Sequence, residues 1–385
     1  RWADWLSTLP ATYDVPALWD APARAALRCP VLCARVEEER ASIEASFATI
    51  VRIAAKRSLP LPLNFSLPLF LWAYATVRTR GATILSEHDE QPVDAGAAAM
   101  TPVVEGTNAI DGGGASDSVT GVACVSGSSH WAICPLGDMF NHTGDALTRC
   151  YFDRASKSYR YEAGEAIAAG EAVCVCYGAH DDGTLLEQYG FVLPGNPHAC
   201  VQLGTACELP EHATAWLEEQ GMAAEHHVTA DGASWELMAA LRLKHSTEDE
   251  RALGGSFALL EGEPVSDANE RLALTELQRL VLAHSEAVGS SLVADAATAA
   301  GEATKRIPAA PSLGPSAAPQ PDEHSGARAA SLAEAWLVAQ RRILAACLAN
   351  VEQKLASCKR PLGATASAVA GSTDDAAAIK RSRRR

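Results

Sequence analysis

Apolar positions recur at helical spacing through the first eighty residues. Glu37 to Ile53 carries Ile43, Phe47, Ile50 and Val51 on one face, which predicts an amphipathic helix. After a proline-rich break, Leu67 to Val77 continues as a second apolar helix. From His130 to Pro194 the pattern shortens to brief strands and tight turns. Glu171 to Tyr177 alternates, with Val173, Val175 and Tyr177 on one face; Gly164 and Gly170 punctuate its entry and Gly178 ends it. From about residue 208 helical spacing returns. A long helix is expected from Asp267, with Glu270 as its capping-box partner and Leu274, Leu277, Val281, His284 and Val288 as its stripe. Ser331 to Glu334 reads as a second capping box. It opens a helix expected to bury Trp336, Ile343, Leu344, Cys347, Leu348, Val351 and Leu355.

Three stretches carry no such period. Residues 86–129, with Gly112, Gly113 and Gly114, read as a mobile surface insertion. Residues 307–328 read as a linker, rich at their start in Pro, Ala and Ser. Residues 361–385 read as a disordered tail ending in the basic run Lys380 to Arg385. The pattern therefore divides the chain into residues 1–200, helical over 1–80 and then strand-rich, and residues 201–360, helical.

Composition narrows the class. The 385 residues are 48% hydrophobic and 21% charged, which is globular, and are enough for two domains. A formal net charge of −15 argues against nucleic acid as a partner, because phosphate contacts need Lys and Arg. It favours basic, lysine-bearing substrates. Eleven cysteines occur without any CxxC. Cys174 and Cys176 fall on one predicted strand, and buried free thiols in a reducing compartment, not a zinc site, are expected. The most apolar stretch, Leu61 to Val77, carries Pro62 and Pro68 and falls short of the roughly 20 apolar residues of a membrane span, so a soluble intracellular protein, of cytoplasm, chloroplast or nucleus, is expected.

Two segments carry candidate chemistry. Pro135 to His142 closes an apolar run with Asn141-His142, whose donors and acceptors suit a purine edge or an amino-acid zwitterion. Local residues alone favour a turn with a satisfied core histidine. Gly170 to Gly178 ends in Tyr177-Gly178 and continues to Tyr189-Gly190-Phe191, where ordinary aromatic packing is the alternative.

In this order and at this separation, Pro135, Asp138, Asn141, His142, Gly170, Glu171, Tyr177, Gly178, Tyr189, Gly190 and Phe191 resemble the SET-domain pattern. Trp2, Trp5, Leu6, Tyr13 and Trp19, the segment Trp72-Ala73 to Val77-Arg78-Thr79-Arg80, and the helices after residue 208 resemble the Rubisco large-subunit methyltransferase class. The resemblance covers about residues 1–355. It implies an α+β fold: a β-rich SET core with a pseudoknot and helical insert over residues 1–200, then an all-α substrate-binding domain over residues 201–360.

The activity implied is S-adenosyl-L-methionine-dependent N-methylation of a lysine on a non-histone protein by a monomer, without nucleic acid, membrane or metal. Histidine methylation of a protein, and a catalytically inactive SET-fold binding module, are the alternatives. By resemblance Tyr177 and Tyr189 are the catalytic positions, and Arg80, Asn141, His142, Tyr177 and Phe191 bind the cofactor. The chain departs from the pattern in two places. The family's Gly-x-Gly cofactor loop is expected upstream of Trp2, so the first strands are expected to be missing from this chain. Asp181-Asp182 also stand where Ser-Asn is common, either against the cofactor's carboxylate or in solvent.

Overall fold

The computed structural model describes residues 2–84, 130–153, 155–204, 209–221, 226–251, 256–289 and 325–358. The insertion 86–129, the tail 361–385 and most of the linker 307–328 lie outside the described residues. The chain divides into two compact units: Arg1–Cys200 with Ala287–Arg342, and Val201–Glu286 with Ile343–Arg385.

The first unit opens with helices α1 (Ala3–Leu6), α2 (Ala21–Ala25), α3 (Pro30–Arg57) and α4 (Leu67–Arg80). The expected helices at Glu37 and Leu67 lie inside α3 and α4. Both longer helices carry proline in their first turn, where its missing N–H costs nothing. Ile43 of α3 and Leu71 of α4 meet Ala17 in one core cluster. Strand β1 (Gly81–Ile84) runs straight on from α4 and pairs antiparallel with β2 (His130–Ile133).

The remaining strands of this unit are β3 (Asn141–His142), β4 (Arg149–Asp153), β5 (Ser158–Glu162) and β6 (Cys174–Val175). β4 and β5 form an antiparallel hairpin. β3 and β6 are parallel, with Asn141 opposite Cys174 and His142 opposite Val175. The predicted strand over Glu171 to Tyr177 thus shrinks to two residues, and Val173 is exposed while Val175 is buried. Helix α5 (Asp182–Tyr189) follows and ends at Gly190, whose left-handed φ of +78° suits glycine.

The second unit contains β7 (Val201–Gln202), α6 (Glu211–Glu219), β8 (His227–Thr229), β9 (Gly232–Ala233), α7 (Trp235–Lys244), α8 (Glu248–Glu250), α9 (Ser256–Leu260) and α10 (Asp267–Ala287). Ala213, Leu217, Ala239, Ala240, Leu243 and Leu259 form its core. The all-α expectation for residues 201–360 is corrected here, because β7, β8 and β9 make a three-stranded antiparallel sheet. The strands are two or three residues long, too short to show a period of two.

Helix α10 begins where expected, and its stripe is buried from Leu274 to His284. Its cap differs. Ser266 Oγ accepts the Asn269 N–H at 3.1 Å, while the Glu270 carboxylate turns to Arg242, with contacts of 2.7 and 3.0 Å. Helix α11 (Ser325–Cys358) gives its residues up to Arg342 to the first unit and those from Ile343 to the second. Ser331 sits inside it rather than capping it.

Candidate functional site

The parallel pairing of β3 with β6 places Asn141-His142 beside the chain leading into Tyr177. Thr143 N–H extends that pairing to the Val175 carbonyl at 3.2 Å, and Thr148 Oγ1 donates to the Cys174 carbonyl at 2.8 Å. Helix α5 then returns the chain so that Tyr189 and Phe191 face Tyr177.

The result is an aromatic cluster. The Tyr177 ring lies 4.8 Å from Tyr189, 5.1 Å from His142 and 6.5 Å from Phe191, centre to centre. His142 and Phe191 are 6.0 Å apart and Tyr189 and Phe191 6.2 Å. Five of the six site positions expected from sequence (Asn141, His142, Tyr177, Tyr189 and Phe191) therefore occupy one place.

Hydrogen bonds fix the rings. His142 Nδ1 accepts the Tyr177 N–H at 3.0 Å, which leaves the proton of the neutral imidazole on Nε2. Burial lowers the His142 pKa, which favours that neutral form. The Tyr177 hydroxyl donates to the Phe140 carbonyl at 2.6 Å. Its pKa is pushed up to about 12, first by burial and then by Tyr189, with the Arg80 charge acting against both. A phenol in this state is protonated at neutral pH. It can orient and donate, but it does not serve as a general base. Asn141 is exposed and its carboxamide has no partner among the described residues, which leaves donors and an acceptor for a ligand.

Arg80, the sixth expected position, has a partner within the protein. Its Nη1 lies 3.0 Å from Asp138 Oδ2 and 3.2 Å from the Asp138 carbonyl. The Asp138 side chain is 0% exposed and also accepts the Trp5 indole N–H at 2.9 Å. Arg80 therefore ties the end of α4 to the segment that precedes Asn141.

Asp181 and Asp182 likewise have partners inside the fold. Asp181 caps α5, accepting from Gly183 and Thr184 N–H and from the Thr184 hydroxyl. Asp182 is 2% exposed, and its Oδ1 accepts from Asn196 Nδ2 at 3.1 Å and Leu193 N–H at 3.2 Å. Burial raises its pKa. Both earlier expectations for the pair, a carboxylate cofactor group and solvent, are replaced by a helix cap and a buried anchor.

Sequence reading passed over His180. It is buried, its Nε2 lies 3.1 Å from the Tyr177 carbonyl, and its ring is 6.2 Å from Tyr189. The only signal was its position three residues beyond Tyr177. Among the described residues no group of three or more His, Cys, Asp or Glu side chains is arranged to hold a metal, and no helix is long and apolar enough to cross a membrane.

The Rubisco LSMT substrate-binding family matches residues 212–344. SET domain-containing protein 4 of Mus musculus is 28% identical over 296 residues, covering 72% of this chain and 58% of the mouse protein. The Homo sapiens protein of the same name is 27% identical over 294 residues, with the same coverage. The chain thus spans a little under three fifths of the length of these relatives. A ribosomal lysine N-methyltransferase of Schizosaccharomyces pombe is 26% identical over 128 residues, 33% of each chain. Among solved structures, the SET domain of LSMT bound to lysine and AdoHcy aligns over 93% of this chain and 72% of its own length, with a TM-score of 0.56 at 15% identity. Rubisco LSMT bound to AdoMet aligns with the same coverages and a TM-score of 0.55. Residues 212–344 thus match the Rubisco LSMT substrate-binding family, the fold is similar to that of Rubisco LSMT SET-domain structures, and the sequence relatives are SET-domain proteins.

Proposed function

We propose that the chain is an S-adenosylmethionine-dependent protein-lysine N-methyltransferase acting on a non-histone protein. The observation that carries this reading is the convergence of Asn141-His142 on Tyr177, Tyr189 and Phe191, locked by the His142–Tyr177 hydrogen bond. The likeness to LSMT structures bound to AdoMet and to lysine supports the cofactor and the substrate side chain.

The residues fit such a cofactor. The exposed Asn141 carboxamide offers both donors and an acceptor to a polar ligand. Phe191 and His142 supply aromatic rings of the kind on which a purine can stack. Arg80 is already paired with Asp138, so it acts by holding the Asn141 segment and by placing positive charge near Tyr177.

S-adenosylmethionine supplies an electrophilic methyl group on a sulfonium. Tyr177 contributes orientation, since its proton is committed to Phe140 and its pKa excludes a base role at neutral pH. Tyr189 packs on Tyr177 and forms the adjoining wall. An apolar wall of this kind favours the neutral lysine amine, which alone can attack. The formal charge of −15 draws in a basic substrate surface.

The test is a calorimetric titration with S-adenosylmethionine, followed by transfer of a labelled methyl group to proteins of a cell extract. Asn141→Ala is expected to lose binding. Tyr177→Phe is expected to retain binding and to lose most transfer. A folded chain that neither binds the cofactor nor transfers label overturns the enzymatic reading and leaves a SET-fold binding module.

A further inference from the structure

We infer that His180 is a positioning residue for Tyr177, held in place by a buried Asn196–Asp182 anchor. The inference rests on the proposed role of Tyr177 in methyl transfer.

A main-chain carbonyl only accepts, so the 3.1 Å contact between His180 Nε2 and the Tyr177 carbonyl requires a proton on Nε2. His180 is 6% exposed, so little water competes for that bond. The His180 backbone is fixed in turn. Asn196 Nδ2 reaches the His180 carbonyl at 2.9 Å and Asp182 Oδ1 at 3.1 Å, and Asn196 Oδ1 accepts the His198 N–H at 2.9 Å. Asn196 and Asp182 are 8% and 2% exposed. Three successive elements, the turn after Tyr177, the start of α5 and the loop after Phe191, are thereby tied into one knot beside the aromatic cluster.

The consequence for Tyr177 is that each of its polar groups has a partner within the protein. Its N–H goes to His142, its hydroxyl to Phe140 and its carbonyl to His180. The first two bonds fix the ring and one side of the peptide. Without the third, the peptide following Tyr177 is free to rotate toward the flexible Gly178, whose φ is +135°. A tyrosine that acts by orientation depends on that restraint more than on any property of its hydroxyl.

The experiment compares His180→Phe, which keeps the ring volume but removes the donor, with His180→Gln, whose amide nitrogen reaches the same place. Asn196→Ser removes the anchor without touching the ring. Thermal melting first confirms that each is folded. His180→Phe is expected to hold its S-adenosylmethionine affinity within about threefold while the transfer rate falls about tenfold to a hundredfold, the scale of a small misplacement at a reacting centre. His180→Gln is expected to recover most of that loss, and Asn196→Ser to show an intermediate one. Unchanged transfer in His180→Phe overturns the inference. So does a loss of cofactor binding that parallels the loss of rate, because His180 would then be serving the cofactor pocket or the fold.

A second readout needs no activity. With the Tyr177 carbonyl labelled with carbon-13, its resonance is expected to move in His180→Phe and to return in His180→Gln. A resonance that stays put removes the contact, and the inference with it. If the wild-type chain binds no cofactor but the resonance moves as expected, the methyltransferase reading fails and the structural restraint stands.

Discussion

Asp138→Ala tests whether Arg80 belongs to the scaffold or to the cofactor. The substitution removes the carboxylate that accepts from Arg80 at 3.0 Å and from the Trp5 indole at 2.9 Å. Stripping one partner from a buried ion pair costs about 3–5 kcal/mol. Here the lower end applies, because the Arg80 side chain retains 18% exposure and a bond to the Asp138 main-chain carbonyl. Loss of the indole's acceptor adds about 1 kcal/mol. The expected destabilisation of the first unit is therefore about 3–4 kcal/mol. At a urea slope of about 3 kcal/mol/M, this moves the midpoint down by about 1 M. The double variant Arg80→Met/Asp138→Leu leaves no stranded charge and is expected to cost less than Asp138→Ala alone. Cofactor titration adds a sign. If the pairing organises the Asn141 segment, Asp138→Ala weakens S-adenosylmethionine binding. If Arg80 is a reserve partner for the cofactor's carboxylate, freeing it tightens binding. Destabilisation below about 1 kcal/mol, or tighter binding, refutes the scaffold argument.

Gly190→Ala is expected to destabilise the first unit by at least about 2 kcal/mol, the left-handed penalty plus a clash, because a Cβ there would lie 2.7 Å from the Asp14 carbonyl carbon; urea unfolding measures it. The flanking Tyr189 and Phe191 should lose near-ultraviolet dichroism in the same variant. Asp182→Asn keeps an oxygen able to accept both of its bonds while removing a charge whose pKa burial raises, so melting temperature at neutral pH is expected to rise. A fall would show that the ionised carboxylate is needed. His180 and His284 have pKa values lowered by burial, so the unfolded chain takes up protons first as pH falls. Their stabilising contribution is full above about pH 6.5 and is lost as pH drops toward their folded values. Urea midpoints should decline over that window, and His284→Leu should flatten the decline.

The helices were legible where a face is apolar and long. Leu274, Leu277 and Val281 announce α10 because each lies against its core. The caps were less legible, because a cap is a local pattern that tertiary forces override. Glu270 looked like a capping partner, yet the Arg242 side chain, 8% exposed, needs a counter-charge and takes it. Ser331 looked like a helix start, yet burial of Ala329 to 3% lies with an extra turn upstream of it. The strands β3 and β6 have two residues each and no period to read. The residues that meet in the candidate site were nevertheless visible by type, because Asn141-His142 and Tyr177 are chemically distinctive even when their pairing is not. What sequence could not show was the partner of each charge. Arg80 meets a carboxylate 58 positions away, and Asp182 meets an amide 14 positions away. Neither separation follows from any helical or strand repeat.

The placement of protons bears on the methyl transfer proposed for this candidate site. Every polar atom of Tyr177 is committed within the protein, and burial holds its phenol protonated well above neutral pH. His142 is neutral, with Nδ1 occupied by a backbone N–H. His180 spends its Nε2 proton on a carbonyl. Neither Tyr177 nor His142 is thus poised to take a proton from a substrate in the reacting step. Chemistry that needs a general base at the moment of bond making is poorly served here. A displacement whose nucleophile arrives already neutral, and whose barrier falls chiefly through alignment, is well served. The fold spends three hydrogen bonds on one tyrosine, and that rigidity is what an alignment mechanism requires.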